Sequence, residues 1–237
     1  MMKINFYSEA VKKNESFNIF FPNEINSKTK IMILLHGLGG NEDTYIEKSN
    51  ILEWIKNKNI LLVLPNGDRG FYNYHLNDIN YQKYLLEEII SRVSIYLNED
   101  KNKYYWIVGG ISMGGYGAFL LGSNSLFNEI CSISGSLDFV SRSKDKLNNL
   151  ETKKEWLDFY GTTINKKNDL FNYLEEYRNK KIIIYCGEDD YLLKYNKKMH
   201  DKLNDLKINH EFIIKPGEHN KEFFYPILES YINNLGD

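Results

Sequence analysis

The sequence feature that most constrains the fold is a Gly-x-Ser-x-Gly pattern at residues 110–114, with Ser112 between Gly110 and Gly114. The apolar run 104–108 before it is typical of a buried strand, and residues 118–121 behind it can continue as a helix. A strand that turns abruptly into a helix brings the positions two before and two after its apex close together, where glycine has no Cβ to collide. The pattern therefore predicts a nucleophile elbow with Ser112 at its apex, although a serine that merely caps the helix also fits it.

Length and charge set the broad class. A chain of 237 residues with 42% hydrophobic and 26% charged residues predicts one soluble α/β domain over residues 1–237. The net charge of −2 gives no electrostatic reason to expect nucleic acid or an anionic membrane as a partner. No stretch reaches the roughly 20 apolar residues that span a bilayer, and the N-terminus lacks the features of a signal peptide, so we expect a cytoplasmic protein.

The two cysteines, Cys131 and Cys186, do not suggest a disulfide framework. Both lie in apolar runs, which predicts buried and inert thiols. No Cys/His spacing resembles a zinc site, so no metal is expected.

Apolar runs that alternate with helical patterns predict an α/β fold built on a mostly parallel, doubly wound sheet. Residues 4–7 and 16–21 predict an antiparallel N-terminal hairpin with a polar connection around residues 12–15. The remaining strands are predicted at residues 31–35, 60–64, 104–108, 130–134, 181–186 and 210–214, and the main helices at 46–58, 80–98 and 223–235. The polar, helical residues 137–180 are too short for a large cap domain but could lie over the site.

A serine nucleophile needs a base, because a neutral hydroxyl attacks weakly. The best candidate is His219, which follows the last predicted strand and so lies at the same edge of the sheet as the elbow. His210 begins that strand and should lie at the opposite end, and His200 falls in a predicted helix. His75 lies in a loop that could reach the site and stays open as a pocket residue.

The base in turn needs a carboxylate that fixes its tautomer and stabilises the imidazolium. Three adjacent acids follow the strand that ends at residue 186, namely Glu188, Asp189 and Asp190, and spacing alone does not choose among them. The chain order of serine, acid and histidine is that of the α/β-hydrolases.

Acyl transfer also requires donors for the tetrahedral oxyanion. The residue after the nucleophile, Met113, offers one N–H. The glycine-rich loop at residues 36–40 follows an early strand, and Leu38 in it is the candidate for the second donor. A phosphate cradle is the alternative reading of this loop, but the loop lacks a Walker ending and a full Gly-x-Gly-x-x-Gly, which disfavours nucleotide binding.

Taken together, these motifs resemble the esterase D and tributyrin esterase group of α/β-hydrolases, which includes S-formylglutathione hydrolases and some feruloyl esterases. The resemblance covers nearly the whole chain. Its motifs lie at residues 34–41, 64–67, 71–73, 111–118, 186–192 and 216–219.

The resemblance implies roles that spacing leaves open. It selects Asp190 as the catalytic acid, because family members place the aspartate before an aromatic-Leu pair, and it implies that Leu38 and Met113 form the oxyanion hole. Family members often carry a tryptophan two residues after the histidine, where this chain has Lys221, so the rim of the pocket departs from the pattern. Members also often self-associate, which makes a homo-oligomer an expectation of the resemblance.

The sequence thus predicts a serine hydrolase that cleaves short acyl esters through Ser112, His219 and Asp190, with a small-molecule acyl ester as substrate and no cofactor. An S-formylglutathione thioesterase would use the same triad and stays open. A prolyl peptidase is disfavoured because the chain has no propeller or other gating domain. A non-catalytic binding module on a hydrolase scaffold is the alternative from another class.

Overall fold

The structure, a computed structural model, describes residues 1–235, so the last two residues of the predicted 1–237 domain lie outside the described residues. One mixed sheet runs through them in the spatial order β1-β2-β4-β3-β5-β6-β7-β8. Its strands are β1 (Met2–Ser8), β2 (Lys13–Phe20), β3 (Lys30–Leu35), β4 (Ile60–Pro65), β5 (Tyr105–Ile111), β6 (Phe127–Ile133), β7 (Lys181–Gly187) and β8 (Glu211–Lys215). The pairs β1/β2 and β2/β4 are antiparallel and all others are parallel, which confirms the predicted fold class.

Helices lie in each connection between strands from β3 onward, and a last helix follows β8. They are α1 (Thr44–Lys48), α2 (Ile51–Ile55), α3 (Tyr81–Lys83), α4 (Ile90–Ser94), α5 (Met113–Gly122), α6 (Phe139–Leu147), α7 (Leu150–Tyr160), α8 (Leu193–Asp205) and α9 (Lys221–Asn233). A π-helical turn (Tyr84–Ile89) joins α3 to α4, and 3₁₀ turns span Leu76–Asp78, Lys101–Lys103, Lys166–Asn168 and Leu170–Tyr177.

Helices cover both faces of the sheet and form two apolar cores. Along β3, Ile31 and Ile33 join the core that holds α3 to α8, whereas Met32 and Leu34 join the core that holds α1, α2 and α9. Alternate residues of a strand point to opposite faces, so a strand covered on both sides must be apolar throughout. The helix α5 is apolar all round, and all of its ten residues are buried.

Three details of the sequence prediction are wrong. Residues 13–15 belong to β2, and the hairpin turn lies at residues 9–12, where Lys12 has a positive φ of 57°. The predicted helix 46–58 is split into α1 and α2, because Ser49 between them adopts an extended backbone with φ −147° and ψ 171°.

The predicted helix 80–98 ends at Ser94 and contains the π-helical turn. The carboxylate of Glu88 in that turn accepts hydrogen bonds from the Ala10 N–H at 3.0 Å and from the Ser8 hydroxyl at 2.5 Å. These contacts tie the helix to the N-terminal hairpin, and helical periodicity gives no sign of them.

Both cysteines are buried free thiols, as predicted. Burial raises the pKa of Cys186 to about 12, so this thiol stays protonated at neutral pH. Among the described residues, no helix has the length and apolar character that crossing a bilayer requires.

Candidate active site

Ser112 occupies a strained turn between β5 and α5. Its backbone has φ 58° and ψ −112°, a conformation that costs energy for a residue with a side chain. The Ser112 N–H donates to the Ile133 carbonyl of β6 at 2.8 Å, which fixes the turn to the sheet. A Cβ on Gly110 would lie 2.4 Å from the Gly114 carbonyl oxygen, and one on Gly114 would lie 2.0 Å from that of Leu35. The elbow therefore requires glycine at both positions, as its spacing predicts.

The structure brings Ser112, His219 and Asp190 into one hydrogen-bonded chain. The Ser112 Oγ lies 2.9 Å from His219 Nε2, and His219 Nδ1 lies 2.8 Å from Asp190 Oδ2. An ionised carboxylate only accepts, so Nδ1 carries the proton and Nε2 is left to accept from the serine. The Ser112 side chain makes no capping hydrogen bond to α5, so the alternative in which this serine merely caps the helix is not supported.

Asp190, the acid in this hydrogen-bonded series, is kept ionised by its surroundings. The Asp190 side chain is fully buried, and its Oδ1 accepts the Leu192 N–H at 2.7 Å. Burial alone raises the pKa of Asp190, but the hydrogen bond with His219, the Ser134 hydroxyl, the charge of His219 and the Leu192 N–H together outweigh burial, so the pKa lies below its usual value. The neighbouring Glu188 and Asp189 are exposed, and of the three acids Asp190 is the one that reaches His219.

The two candidate oxyanion donors flank the serine. In the loop, the Gly40 N–H donates to the Gly37 carbonyl at 3.0 Å, with Gly39 at φ +81°, so Leu38 occupies a corner of a tight turn. Met113 opens α5, and its N–H is one of the first-turn amides that have no partner within a helix. Both residues line a small cavity together with Ser112.

His36 supports the turn that carries Leu38. It is buried, its Nδ1 donates to the Gly37 carbonyl at 2.8 Å, and its Nε2 accepts the Gly67 N–H at 2.9 Å. Burial lowers the pKa of His36, which keeps the ring neutral and preserves both bonds. The Tyr72 hydroxyl adds a bond to the His36 carbonyl at 3.0 Å. This supporting role is one that sequence reasoning missed.

The remaining histidines lie elsewhere. His75 is buried, its Nε2 donates to the Gly70 carbonyl at 2.7 Å, and it borders a different cavity from the one around His219. His200 and His210 bond to each other at 2.7 Å, and His210 lies next to the first residue of β8, away from the carboxyl end that carries His219. The prediction for His210 is confirmed.

Two cavities meet at Ser112. The larger, about 830 Å³, is lined by His219, Tyr191 and Phe224 and by the predicted rim residue Lys221. The centre of the His219 ring lies 4.6 Å from the centre of the Tyr191 ring and 4.9 Å from the centre of the Phe224 ring. The aromatic rings therefore hold the imidazole from two sides.

The smaller cavity, about 100 Å³, is bordered by α6 and α7. Arg142, Lys146 and Trp156 line it, all from the segment 137–180. The sequence indicates that this segment could lie near the site, but nothing in its pattern identifies these three positions. Within residues 1–235, no group of His, Cys, Asp and Glu side chains is arranged to hold a metal ion.

Comparison with known proteins gives the family. The family described as "Putative esterase" matches residues 8–225 of this chain. The chain belongs to this esterase family. It is a carboxylic ester hydrolase with the α/β-hydrolase fold, and the resemblance that its motifs suggest is confirmed.

Individual relatives fit this assignment. An acetyl esterase from Caldicellulosiruptor saccharolyticus is 27% identical over 94% of this chain and 93% of its own length. The substrate-bound fluorophosphonate-binding serine hydrolase F of Staphylococcus aureus has a TM-score of 0.83 at 21% identity, covering 98% of this esterase and 96% of that chain. An S-formylglutathione hydrolase from the same organism has a TM-score of 0.81 at 20% identity, with the same coverage. The two structures share the fold of this esterase.

Proposed function

We propose that this esterase hydrolyses short-chain acyl esters through a Ser112–His219–Asp190 triad and an acyl-enzyme intermediate. The observation that carries the proposal is the continuous hydrogen-bonded chain from the Ser112 hydroxyl through His219 to the buried Asp190 carboxylate. A base held in the correct tautomer beside a serine at a strained elbow is the arrangement that acyl transfer needs.

In the proposed reaction, the Ser112 Oγ attacks the ester carbonyl while His219 Nε2 takes its proton. The N–H groups of Leu38 and Met113 stabilise the negative charge on the carbonyl oxygen. His219 then returns the proton to the departing alcohol as the bond between the acyl carbon and the alcohol oxygen breaks. A water molecule, activated by the same imidazole, hydrolyses the acyl-enzyme and releases the acid and free Ser112.

The two cavities suggest how the ester is oriented in the site. The departing oxygen must lie close to His219 to receive its proton, so the alcohol portion belongs in the larger cavity that His219 lines. The acyl portion then extends toward the smaller cavity beside Ser112 and Met113. A volume of about 100 Å³ favours short acyl chains.

A thioester substrate of the S-formylglutathione type is the second candidate. Its acyl group is the smallest one, and its leaving group is a bulky peptide-like thiol. The larger cavity of about 830 Å³, which Lys48 and Lys221 border, has room for such a leaving group. Turnover of S-formylglutathione compared with simple acyl esters separates the two candidates.

The first experiment is the hydrolysis of p-nitrophenyl esters from acetate to octanoate by the wild type and by Ser112→Ala. We expect activity to peak at the short chains and to fall by at least about 10⁴-fold in the variant, because the nucleophile is lost. Ser123→Ala is the matched control, since Ser123 follows the far end of α5 and its hydroxyl bonds to the Leu120 carbonyl.

Equal activity in wild type and Ser112→Ala would overturn the proposed mechanism. A wild type that hydrolyses no ester or thioester, and whose Ser112 is not labelled by a reactive-serine probe, would favour the non-catalytic binding module instead.

A further inference from the structure

The smaller cavity beside Ser112 carries an excess of positive charge. Three cationic side chains border it, those of Arg69, Arg142 and Lys146, against the single carboxylate of Glu155. Glu155 is already bound by Arg69, through one contact to Nε and a second to Nη2 at 3.0 Å. The Glu155 carboxylate is therefore occupied, and Arg142 and Lys146 need another anion as ion-pair partner.

Among the described residues, neither Arg142 nor Lys146 forms an ion pair with a carboxylate. The charge of Arg142 acts on Asp145, but that carboxylate is already bound by Lys194 at 2.9 Å and by the Tyr195 hydroxyl. Burial, and then the charges of Arg142 and Arg69, lower the pKa of Lys146, and these effects outweigh the opposite influence of the Glu155 and Glu151 carboxylates.

Arg142 is fixed at the edge of the site. Its guanidinium lies 5.1 Å from the centre of the Tyr191 ring, and that ring in turn contacts His219. A cation stacked on an aromatic face loses freedom but keeps its hydrogen-bond donors available at its edge.

A buried hydroxyl without a partner faces the same cavity. Ser136 is only 2% exposed, and within residues 1–235 its Oγ has no hydrogen-bond partner. Buried polar groups are nearly always paired, so an unpaired hydroxyl at a cavity wall indicates a polar occupant.

The size of the cavity limits that occupant. A volume of about 100 Å³ is about three times the ~30 Å³ that one water takes up in the liquid, which is room for about three water-sized groups. The cavity adjoins Ser112, Leu38 and Met113 but not His219, so it would receive the acyl chain rather than the alcohol.

We propose that this cavity is an acyl pocket that selects short acyl groups ending in a carboxylate, of the size of a malonyl group. The proposal rests on the proposed esterase function. The acyl carboxylate would pair with Arg142 and Lys146 and accept a hydrogen bond from Ser136, and Trp156 would pack against its methylene group.

The test compares three ethyl esters that release the same alcohol: ethyl acetate, ethyl isovalerate and monoethyl malonate. The isovaleryl group has the branched shape of the malonyl group without its charge, so their ratio of kcat/KM isolates the carboxylate. We expect the wild type to prefer monoethyl malonate by about tenfold or more, the effect of one charge-assisted contact. Ethanol release measures all three reactions identically.

Lys146→Gln and Arg142→Gln should each lower this ratio about tenfold, because each removes one cation from the pocket. Lys144→Gln is the matched control: it removes an exposed lysine from the same helix, outside the cavity lining, and should leave the ratio unchanged. A control variant that lowers the ratio as much would contradict the proposal, since general surface charge would then explain the preference.

The failures of the two proposals are distinguishable. A wild type that hydrolyses ethyl acetate but favours ethyl isovalerate over monoethyl malonate overturns the pocket and leaves the esterase mechanism intact. If none of the three esters is hydrolysed, the proposed mechanism fails, and calorimetric titration of malonate into Ser112→Ala tests the pocket by itself. Malonate binding to Ser112→Ala that the further change Lys146→Gln abolishes supports the proposed pocket. Absence of malonate binding overturns it.

Discussion

At the scale of single residues, burial separates three neighbouring acids. Asp190 is fully buried and bonded to His219, whereas Glu188 and Asp189 are exposed on the same turn. Spacing gave no basis for a choice, because all three follow the same strand. The resemblance pointed to Asp190, and the structure gives the physical reason: only at this position is the carboxylate directed inward at the imidazole.

Asp190→Asn tests this role. An asparagine preserves the shape but can donate to Nδ1, which favours the tautomer with its proton on Nε2 and removes the base that faces Ser112. We expect kcat/KM for p-nitrophenyl acetate to fall by about 10³- to 10⁴-fold. Asp189→Asn, the same change one residue earlier, should retain activity close to the wild type. A comparable loss in both variants would indicate that the acidic turn as a whole, rather than the Asp190 carboxylate, supports catalysis.

At the scale of secondary structure, the elbow was predictable because its cause is local. The steric demand of a strand-to-helix turn falls on positions 110 and 114, and both glycines can be read directly from the sequence. The π-helical turn and the break between α1 and α2 were not predictable. Glu88 in the π-helical turn contacts a distant hairpin, and the break between α1 and α2 lies at the extended backbone of Ser49; helical periodicity gives no sign of either.

Gly114→Ala tests the steric argument. The added Cβ would lie 2.0 Å from the Leu35 carbonyl oxygen and 2.9 Å from that of His36, and neither backbone can give way without distorting β3 or the loop that carries Leu38. We expect the free energy of unfolding to fall by about 3 kcal/mol or more, together with loss of esterase activity.

Gly109→Ala is the matched control for that change. It lies in the same strand-to-helix segment, but a Cβ there would meet its nearest atoms at 3.5 Å, which is ordinary packing. Its free energy of unfolding, measured by urea denaturation, should stay within about 1 kcal/mol of the wild type. Equal loss in both variants would show that the segment rejects any side chain, not that the elbow needs glycine at position 114.

At the scale of the whole molecule, chain order predicted the triad because parallel strands end at one edge of the sheet. Ser112 follows β5, Asp190 follows β7 and His219 follows β8, so the fold itself brings them together. The part of the site that α6 and α7 border follows no such rule. Helix α6 borders the cavity beside Ser112, and its start is bound to α8 through the pair of Lys198 with the buried Asp138, a contact between segments far apart in the sequence.

Stability as a function of pH is a further property of the whole molecule, and buried histidines govern part of it. Burial lowers the pKa of His75 to about 4, from an ordinary value near 6.5. Above pH 6.5 the ring is neutral in the folded and unfolded chain alike, so it adds no pH dependence. Between pH 6.5 and 4 the unfolded chain takes up a proton that the folded chain refuses, and the free energy of unfolding therefore falls as the pH falls.

His75→Gln isolates this contribution. In the wild type, His75 should lower the free energy of unfolding by about 1.4 kcal/mol per pH unit below pH 6.5, and by about 3 kcal/mol in total at pH 4. The variant loses packing against Phe159, whose ring stacks on His75 at 4.8 Å, so it should be less stable at pH 7.5. Its free energy of unfolding should nevertheless fall less steeply as the pH falls. The contribution of His36 to this pH dependence should be the same in both proteins. Urea denaturation at half-unit steps from pH 7.5 to 4.5 measures the two slopes. Parallel curves below pH 6.5 would mean that His75 takes up its proton in the folded protein, against the effect of its burial.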